Sequence, residues 1–200
     1  MQHRVLTPEF SEKITALYDK MEKSYDVVAE KIDLSCTGCP DNCCDSFFLH
    51  HTYTEWAYLW EGLSRLPSVV MADIKKRSWQ YVEEFNRMVS AGVEPVLMCP
   101  LNQEGTCALY SHRLMICRMH GVPSFFNKPD GSKVDFPGCF LAQEKTASHT
   151  DYPAVDRTEM YRELAGLERQ LLEACRQPMP RVKMTIAEMI IKGKPTLTSP

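Results

Sequence analysis

The sequence predicts a mainly α-helical single domain, spanning residues 1–200, with an irregular, cysteine-rich middle. Three observations predict it. Apolar residues recur at spacings of three and four in several stretches, the signature of amphipathic helices. A region of about sixty residues, from Glu94 to Pro153, is broken repeatedly by Pro and Gly, which is unusual inside a compact domain. Eight of the nine cysteines fall in two segments of the chain.

The first helix carries Phe10, Ile14, Leu17, Met21, Tyr25, Val28 and Ile32 on one stripe, with Pro8 at its first position. The segment Cys36-Thr-Gly-Cys39-Pro-Asp-Asn-Cys43-Cys44 follows as a turn. Thr52-Tyr-Thr-Glu55 has the capping-box pattern and opens a short helix through Trp56, Leu59, Trp60 and Leu63. Leu66-Pro67 breaks it. Ser68 is expected to cap a longer helix bearing Val70, Ile74, Trp79, Val82, Phe85 and Val89, read as core residues, with Gly92 as its stop. Lys128-Pro-Asp-Gly-Ser-Lys133 is expected to be a hairpin tip between Ser124-Phe-Phe and Val134-Asp-Phe. A last amphipathic helix is expected from about Asp156 to Cys175, with Met160, Leu164, Leu167, Leu171 and Cys175 on one face. Cys175 therefore reads as a small apolar residue rather than a ligand. Thr185 to Lys192 is expected to form one short further helix.

Composition excludes some functions. Charges of both signs are interspersed, with a net charge of −3, so no basic surface stands ready for nucleic acid. No apolar run has signal-peptide length or approaches the roughly 20 residues of a membrane helix. The chain reads as cytoplasmic, where thiols stay reduced, and its odd cysteine count fits a disulfide scaffold poorly.

That leaves metal chemistry or a thiol nucleophile. Cys36-x-x-Cys39 has the spacing at which two thiolates of one turn reach one metal. Side chains of adjacent cysteines diverge, so Cys43 and Cys44 are expected to do different jobs. Cys99, Cys107, Cys117 and Cys139 are too dispersed to form a local knuckle and must be gathered by the fold. All-thiolate sites hold zinc or iron–sulfur clusters. With one Cys-x-x-Cys pair and the other ligands scattered, the pattern favours a [4Fe–4S] cluster over zinc, since four corners each need one thiolate. His50, His51, His112 and His120 flank cysteines and are alternative zinc ligands, although a hydrogen-bonded histidine is the blander reading. Cys117-Arg118 with His120 is the best local arrangement for a reactive thiol, yet a neighbouring cation serves a metal ligand equally well.

The Cys-x-x-Cys-x-x-x-Cys-Cys turn, followed by Cys99-Pro-Leu-Asn-Gln-Glu-Gly-Thr-Cys107-Ala-Leu-Tyr110 and Cys117-Arg118, resembles the CxxCxxCC, or YkgJ-like, family of cysteine-cluster proteins. The resemblance covers residues 36–141. This chain has one extra residue before the cysteine pair and Leu114 where the family usually has proline. The resemblance implies chelation of zinc or iron by Cys36, Cys39, Cys43, Cys44, Cys99, Cys107, Cys117 and Cys139 in a bacterial protein. Flagellin lysine methylases carry a similar cluster. The alternative expectation is therefore an enzyme using the cluster for redox or methyl-transfer chemistry, although no glycine-rich methyl-donor loop is present. The expected partner is a metal ion or cluster, and metal is expected to staple the irregular middle.

Overall fold

The computed structural model describes residues 5–37, 39, 43–148, 151–175 and 178–197. It is mainly α: 54% of it is helical, with seven α-helices and two small sheets among the described residues. The helices are α1 (Pro8–Lys31), α2 (Tyr53–Leu63), α3 (Ser68–Ser90), α4 (Met115–Met119), α5 (Phe140–Thr146), α6 (Thr158–Glu173) and α7 (Ile186–Lys192). The strands are β1 (Asn102–Gln103), β2 (Thr106–Cys107), β3 (Ser124–Asn127), β4 (Lys133–Phe136) and β5 (Val155–Asp156). The chain divides into two compact units. The first comprises Met1–Ser11, Cys44–Leu114 and Leu167–Pro200, and the second Glu12–Cys43 and Met115–Gly166.

The helix signals were local and act as expected. Pro8 opens α1, and the Thr7 hydroxyl accepts the Phe10 N–H. Thr52 caps α2 by accepting the Glu55 N–H and bonding the Glu55 carboxylate, while Thr185 and Glu188 form a full capping box on α7. Gly92, at φ 70°, ends α3 in a Schellman motif, with Val93 N–H on Met88 C=O and Gly92 N–H on Val89 C=O. Ser68 is the first helical residue rather than the cap of α3. Pro67 holds the cap position and gives no side-chain bond.

In the first unit, α2 is buried on nearly every side. Of its eleven residues, Glu61 is the exception. Its two indoles both donate to Met189 C=O of α7, Trp56 at 3.1 Å and Trp60 at 3.0 Å. Its first two N–H groups are taken by the Glu168 carboxylate, which also accepts the Thr54 hydroxyl. Helix α3 packs on α7 with a narrow stripe through Val70, Ile74, Ser78, Val82 and Phe85. Trp79 is 62% exposed and Val89 52%, which corrects the expectation that both belong to the core. They lie off the i, i+4 line that α7 covers. Phe85 instead stacks on Phe47, with ring centroids 5.3 Å apart.

In the second unit, α1 buries Ile14, Leu17, Tyr18, Met21 and Val28 from the expected stripe and its flank. The hairpin tip at Lys128–Lys133 is present. Strands β3 and β4 pair from Ser124↔Phe136 to Asn127↔Lys133, and Gly131 turns at φ 85°. Strand β5, which no sequence signal marked, adds to the other edge of β3 in parallel. Seven short elements, the six from β1 to α5 and a 3-10 turn at Tyr110–His112, lie within the region read as irregular. None exceeds seven residues, too short for periodicity to register. Helix α6 stops at Glu173, so Cys175 lies beyond its end, half-buried, with its thiol 3.7 Å from Leu171 C=O.

Candidate metal centres

Three of the predicted ligands, Cys44, Cys99 and Cys107, belong to the first unit, and Cys36, Cys39, Cys43, Cys117 and Cys139 to the second. The boundary runs between the adjacent Cys43 and Cys44. None of the nine cysteines is in a disulfide. Cys36 is exposed and the others are half-buried.

In the first unit the gathering device is a tight hairpin. Glu104 and Gly105 sit at φ 50° and 86° between β1 and β2, the positive pair a two-residue loop of the right twist needs. The Asn102 side chain accepts the Gly105 N–H. The ladder places Cys107 opposite Asn102, whose N–H bonds Cys99 C=O, and Ala108 N–H bonds Leu101 C=O. Cys99 N–H in turn donates to Cys44 C=O at 2.8 Å. Cys99 and Cys107 are thus joined by a local turn, whereas Cys117 and Cys139 fall in the other unit. The Glu-Gly pair flanked by Asn-Gln and Thr-Cys was the available signal.

Cys99 and Cys107 pack against the apolar core of that unit. Burial pushes the Cys99 thiol up to about 12. The Leu101 amide and the Arg77 guanidinium pull the other way, and the neighbouring Cys44 and Cys107 add to the rise. A thiol raised in this way favours its neutral form, and a cation beside Cys99 would be needed to favour the thiolate.

In the second unit three of the five thiols, Cys36, Cys43 and Cys139, act on one phenol. Helix α1 ends in a Schellman turn with Asp33 at φ 52° and Leu34 N–H on Ala29 C=O, which delivers the chain to Cys36. Cys39 N–H donates to Cys36 C=O at 3.2 Å. Gly38 and residues 40–42 of the predicted cysteine turn lie outside the described residues. The Tyr25 hydroxyl is raised above its ordinary value by burial, then by Cys36, with which it shares a hydrogen bond, and by Cys139 and Cys43. In the sequence Tyr25 is only one member of the α1 apolar stripe.

Two glycines set Cys139. Its N–H donates to Gly121 C=O at 2.9 Å. Gly121 has φ 121°, and a Cβ there would stand 2.6 Å from the Tyr25 hydroxyl oxygen. Gly138 has φ 86°, and a Cβ there would stand 2.5 Å from the Gly121 carbonyl oxygen. Cys117 lies on α4 beside Arg118, which is 6% exposed. That guanidinium pairs with Glu22 at 3.1 Å and lies over the Tyr18 ring at 4.7 Å.

The histidines considered as ligands have other engagements. His50 is buried with Nδ1 3.7 Å from a Glu55 carboxylate oxygen, and its backbone bridges Met184. His112 stacks on Tyr58 at 4.6 Å, and its Nδ1 is 3.0 Å from the Ser111 hydroxyl. His51 is exposed and His120 half-buried.

Among the described residues, no group of three or more His, Cys, Asp or Glu side chains stands ready to hold a metal ion. The donor chemistry of both sets suits a thiophilic metal. Among the described residues no helix is long and apolar enough to cross a membrane. No family model, no curated protein and no solved structure matches the chain.

Proposed function

We propose that this protein binds metal through cysteine thiolates in two sets, one in each unit. Cys44, Cys99 and Cys107 supply the first, and Cys36, Cys39, Cys43, Cys117 and Cys139 the second. The observation that carries the reading is Cys99. Its thiol is placed by backbone hydrogen bonds beside two other cysteines, against apolar core, with an amide directed at the sulfur. Cys99 and Cys107 also pack on that core as small apolar residues, but thiolates there need a cation. The resemblance of residues 36–141 to the CxxCxxCC family supports the same reading.

An iron–sulfur cluster, of the [4Fe–4S] type, is the favoured occupant, with Zn2+ as its rival. Dispersed single ligands and one Cys-x-x-Cys pair favour the cluster. When bound, such a cluster supplies one-electron redox capacity, whereas zinc would brace the fold or act as a Lewis acid. The chain's own part is to hold the thiols through the β1–β2 hairpin and the Gly121–Cys139 hydrogen bond. We place the protein in a reducing cytoplasm, where these cysteines stay available as thiols.

A second reading, an enzyme built around the metal, draws on the first set. It contributes three cysteines, and three protein ligands with an open position is the arrangement of a catalytic centre. The deciding experiment is anaerobic purification with metal and acid-labile sulfide analysis. Brown protein with iron and sulfide is expected. Colourless protein with zinc and no sulfide would replace the cluster by zinc. Protein with neither would overturn metal binding.

A further inference from the structure

Arg157 is a buried charge without a described counter-charge. It is 2% exposed and lies in the second unit, directly after β5. No described carboxylate acts on it, whereas the other buried arginine of that unit, Arg118, has Glu22 at 3.1 Å. Two neutral oxygens serve the guanidinium instead. Its Nη2 donates to Met119 C=O at 2.6 Å. The Tyr161 hydroxyl hydrogen-bonds it and opposes the lowering of its pKa by burial. These acceptors use two of the five N–H groups of a guanidinium. Nε and Nη1 are buried and have no partner of ordinary hydrogen-bond geometry among the described residues. Cζ lies over the Phe136 ring, 4.8 Å from its centroid. Neutral oxygens and a ring face ease the burial of a cation, but they leave its charge uncancelled.

The sheet register shows what else faces that place. The ladder of β5 on β3 runs on through Arg157, whose N–H donates to Phe125 C=O at 2.7 Å, as the Val155 N–H does to Pro123 C=O. Val155 pairs with Ser124, and Ser124 pairs with Phe136. Paired residues share a sheet face, and residues two apart on a strand share it too. Ser124, Phe136, Val155 and Arg157 therefore stand on one face. The strand order is β4-β3-β5, so the Arg157 side chain, rooted beside β3 and reaching the Phe136 ring on β4, crosses β3 at Ser124. Ser124 is the smallest side chain of the four. It is 2% exposed, and its hydroxyl has no described hydrogen-bond partner.

Unused guanidinium N–H groups and an unused hydroxyl thus meet on one buried face, from neighbouring strand positions. Donors that converge around a positive charge specify an anion. The burial of both side chains specifies a small one, and the single charge of Arg157 a monovalent one. Water offers acceptors, yet it brings no charge to cancel that of the guanidinium.

We propose that Arg157 and Ser124 form an internal binding site for one small monovalent anion of the halide class. The ion accepts hydrogen bonds from the free side of the guanidinium and from the Ser124 hydroxyl. It neutralises the arginine inside the fold, and so stabilises the sheet and the end of α4 that Arg157 holds through Met119. The site needs no metal at the thiols.

The test is urea unfolding of the full-length protein over about two decades of chloride concentration, with gluconate as the balancing anion at constant ionic strength. Once chloride exceeds its Kd, each tenfold rise should increase the wild-type folding equilibrium constant by up to about tenfold. Arg157→Gln removes the charge that attracts the ion, and Ser124→Asp supplies a tethered carboxylate in its place. In each the response should fall below about twofold. Arg162→Gln, exposed in the same unit, should keep the wild-type response. If Arg157→Gln does not fold, Ser124→Asp decides. Crystals of the wild-type protein grown in bromide should show an anomalous peak between the Arg157 guanidinium and the Ser124 hydroxyl, and crystals of Ser124→Asp should lack it. No peak in the wild type overturns the site. A wild-type chloride response matched by the folded variants also overturns it, because the response is then a general salt effect. A peak without a chloride response shows occupation at crystal concentration only, and overturns the proposal as well.

Discussion

Gly138→Ala, set beside Gly131→Ala, separates backbone strain from collision at the second thiolate set. Both glycines lie in the left-handed region, at φ 86° and 85°. An alanine at either position carries a left-handed penalty of about 1 kcal/mol. Around Gly131 nothing lies within 4 Å, so that penalty is the whole expected cost. At Gly138 the new methyl would meet the Gly121 carbonyl oxygen at 2.5 Å, and Ala142 Cβ and the Val122 carbonyl carbon at 3.0 Å. Two of these are backbone atoms, which cannot swing aside. Overpacking of this kind costs about 1–3 kcal/mol. The struck carbonyl also accepts the Cys139 N–H, and losing that bond adds about 1 kcal/mol. Gly138→Ala should therefore cost about 3–5 kcal/mol against about 1 for Gly131→Ala. Urea unfolding of the metal-free variants measures both, as midpoint shift multiplied by slope. If the two variants agree within about 0.5 kcal/mol, the close packing of Gly138 on Gly121 is refuted.

Three further outcomes are expected. Glu168→Ala should destabilise the first unit by about 2–3 kcal/mol, because two N–H groups at the start of α2 and the Thr54 hydroxyl lose a charged acceptor; a loss below about 0.5 kcal/mol in thermal or urea unfolding contradicts this. Tyr81 is pushed up to about 12 by burial, with Cys99 and Glu188 adding to the rise, so its neutral form is favoured by folding. The associated stability is fully present below about pH 10 and is lost as pH rises toward 12. Tyr25 and Tyr53 are raised as well, so several phenols should titrate late; Tyr81→Phe should remove one of them from the tyrosinate absorbance, and a titration unchanged by that substitution counts against the buried placement. On the proposed metal binding, Cys36→Ala and Cys117→Ala should make the region 94–153 markedly more sensitive to limited proteolysis than Cys175→Ala does, and equal resistance of all three would argue that metal does not order that region.

What the sequence by itself determined were features decided within about one helical turn. The stripe from Phe10 to Val28, the caps at Thr52 and Thr185, the stop at Gly92 and the hairpin tip at Lys128–Lys133 all depend on residues no more than a few positions apart, and all appear. The sorting of thiols was only half legible. That Cys43 and Cys44 must diverge is local geometry. That one falls with Cys99 and Cys107, and the other in the unit with Cys139 and Tyr25, depends on chain segments tens of residues away. The β1–β2 hairpin was missed because its strands are two residues each, below any periodic signal. Trp79 was misassigned because periodicity reports which residues are apolar, while α7 decides which of them are covered. Tyr25 shows in the sequence only as a member of the first helix's stripe. Its setting beside Cys36, Cys43 and Cys139 is a matter of desolvation and of charge acting across space, and both exist only once the chain has brought distant groups together.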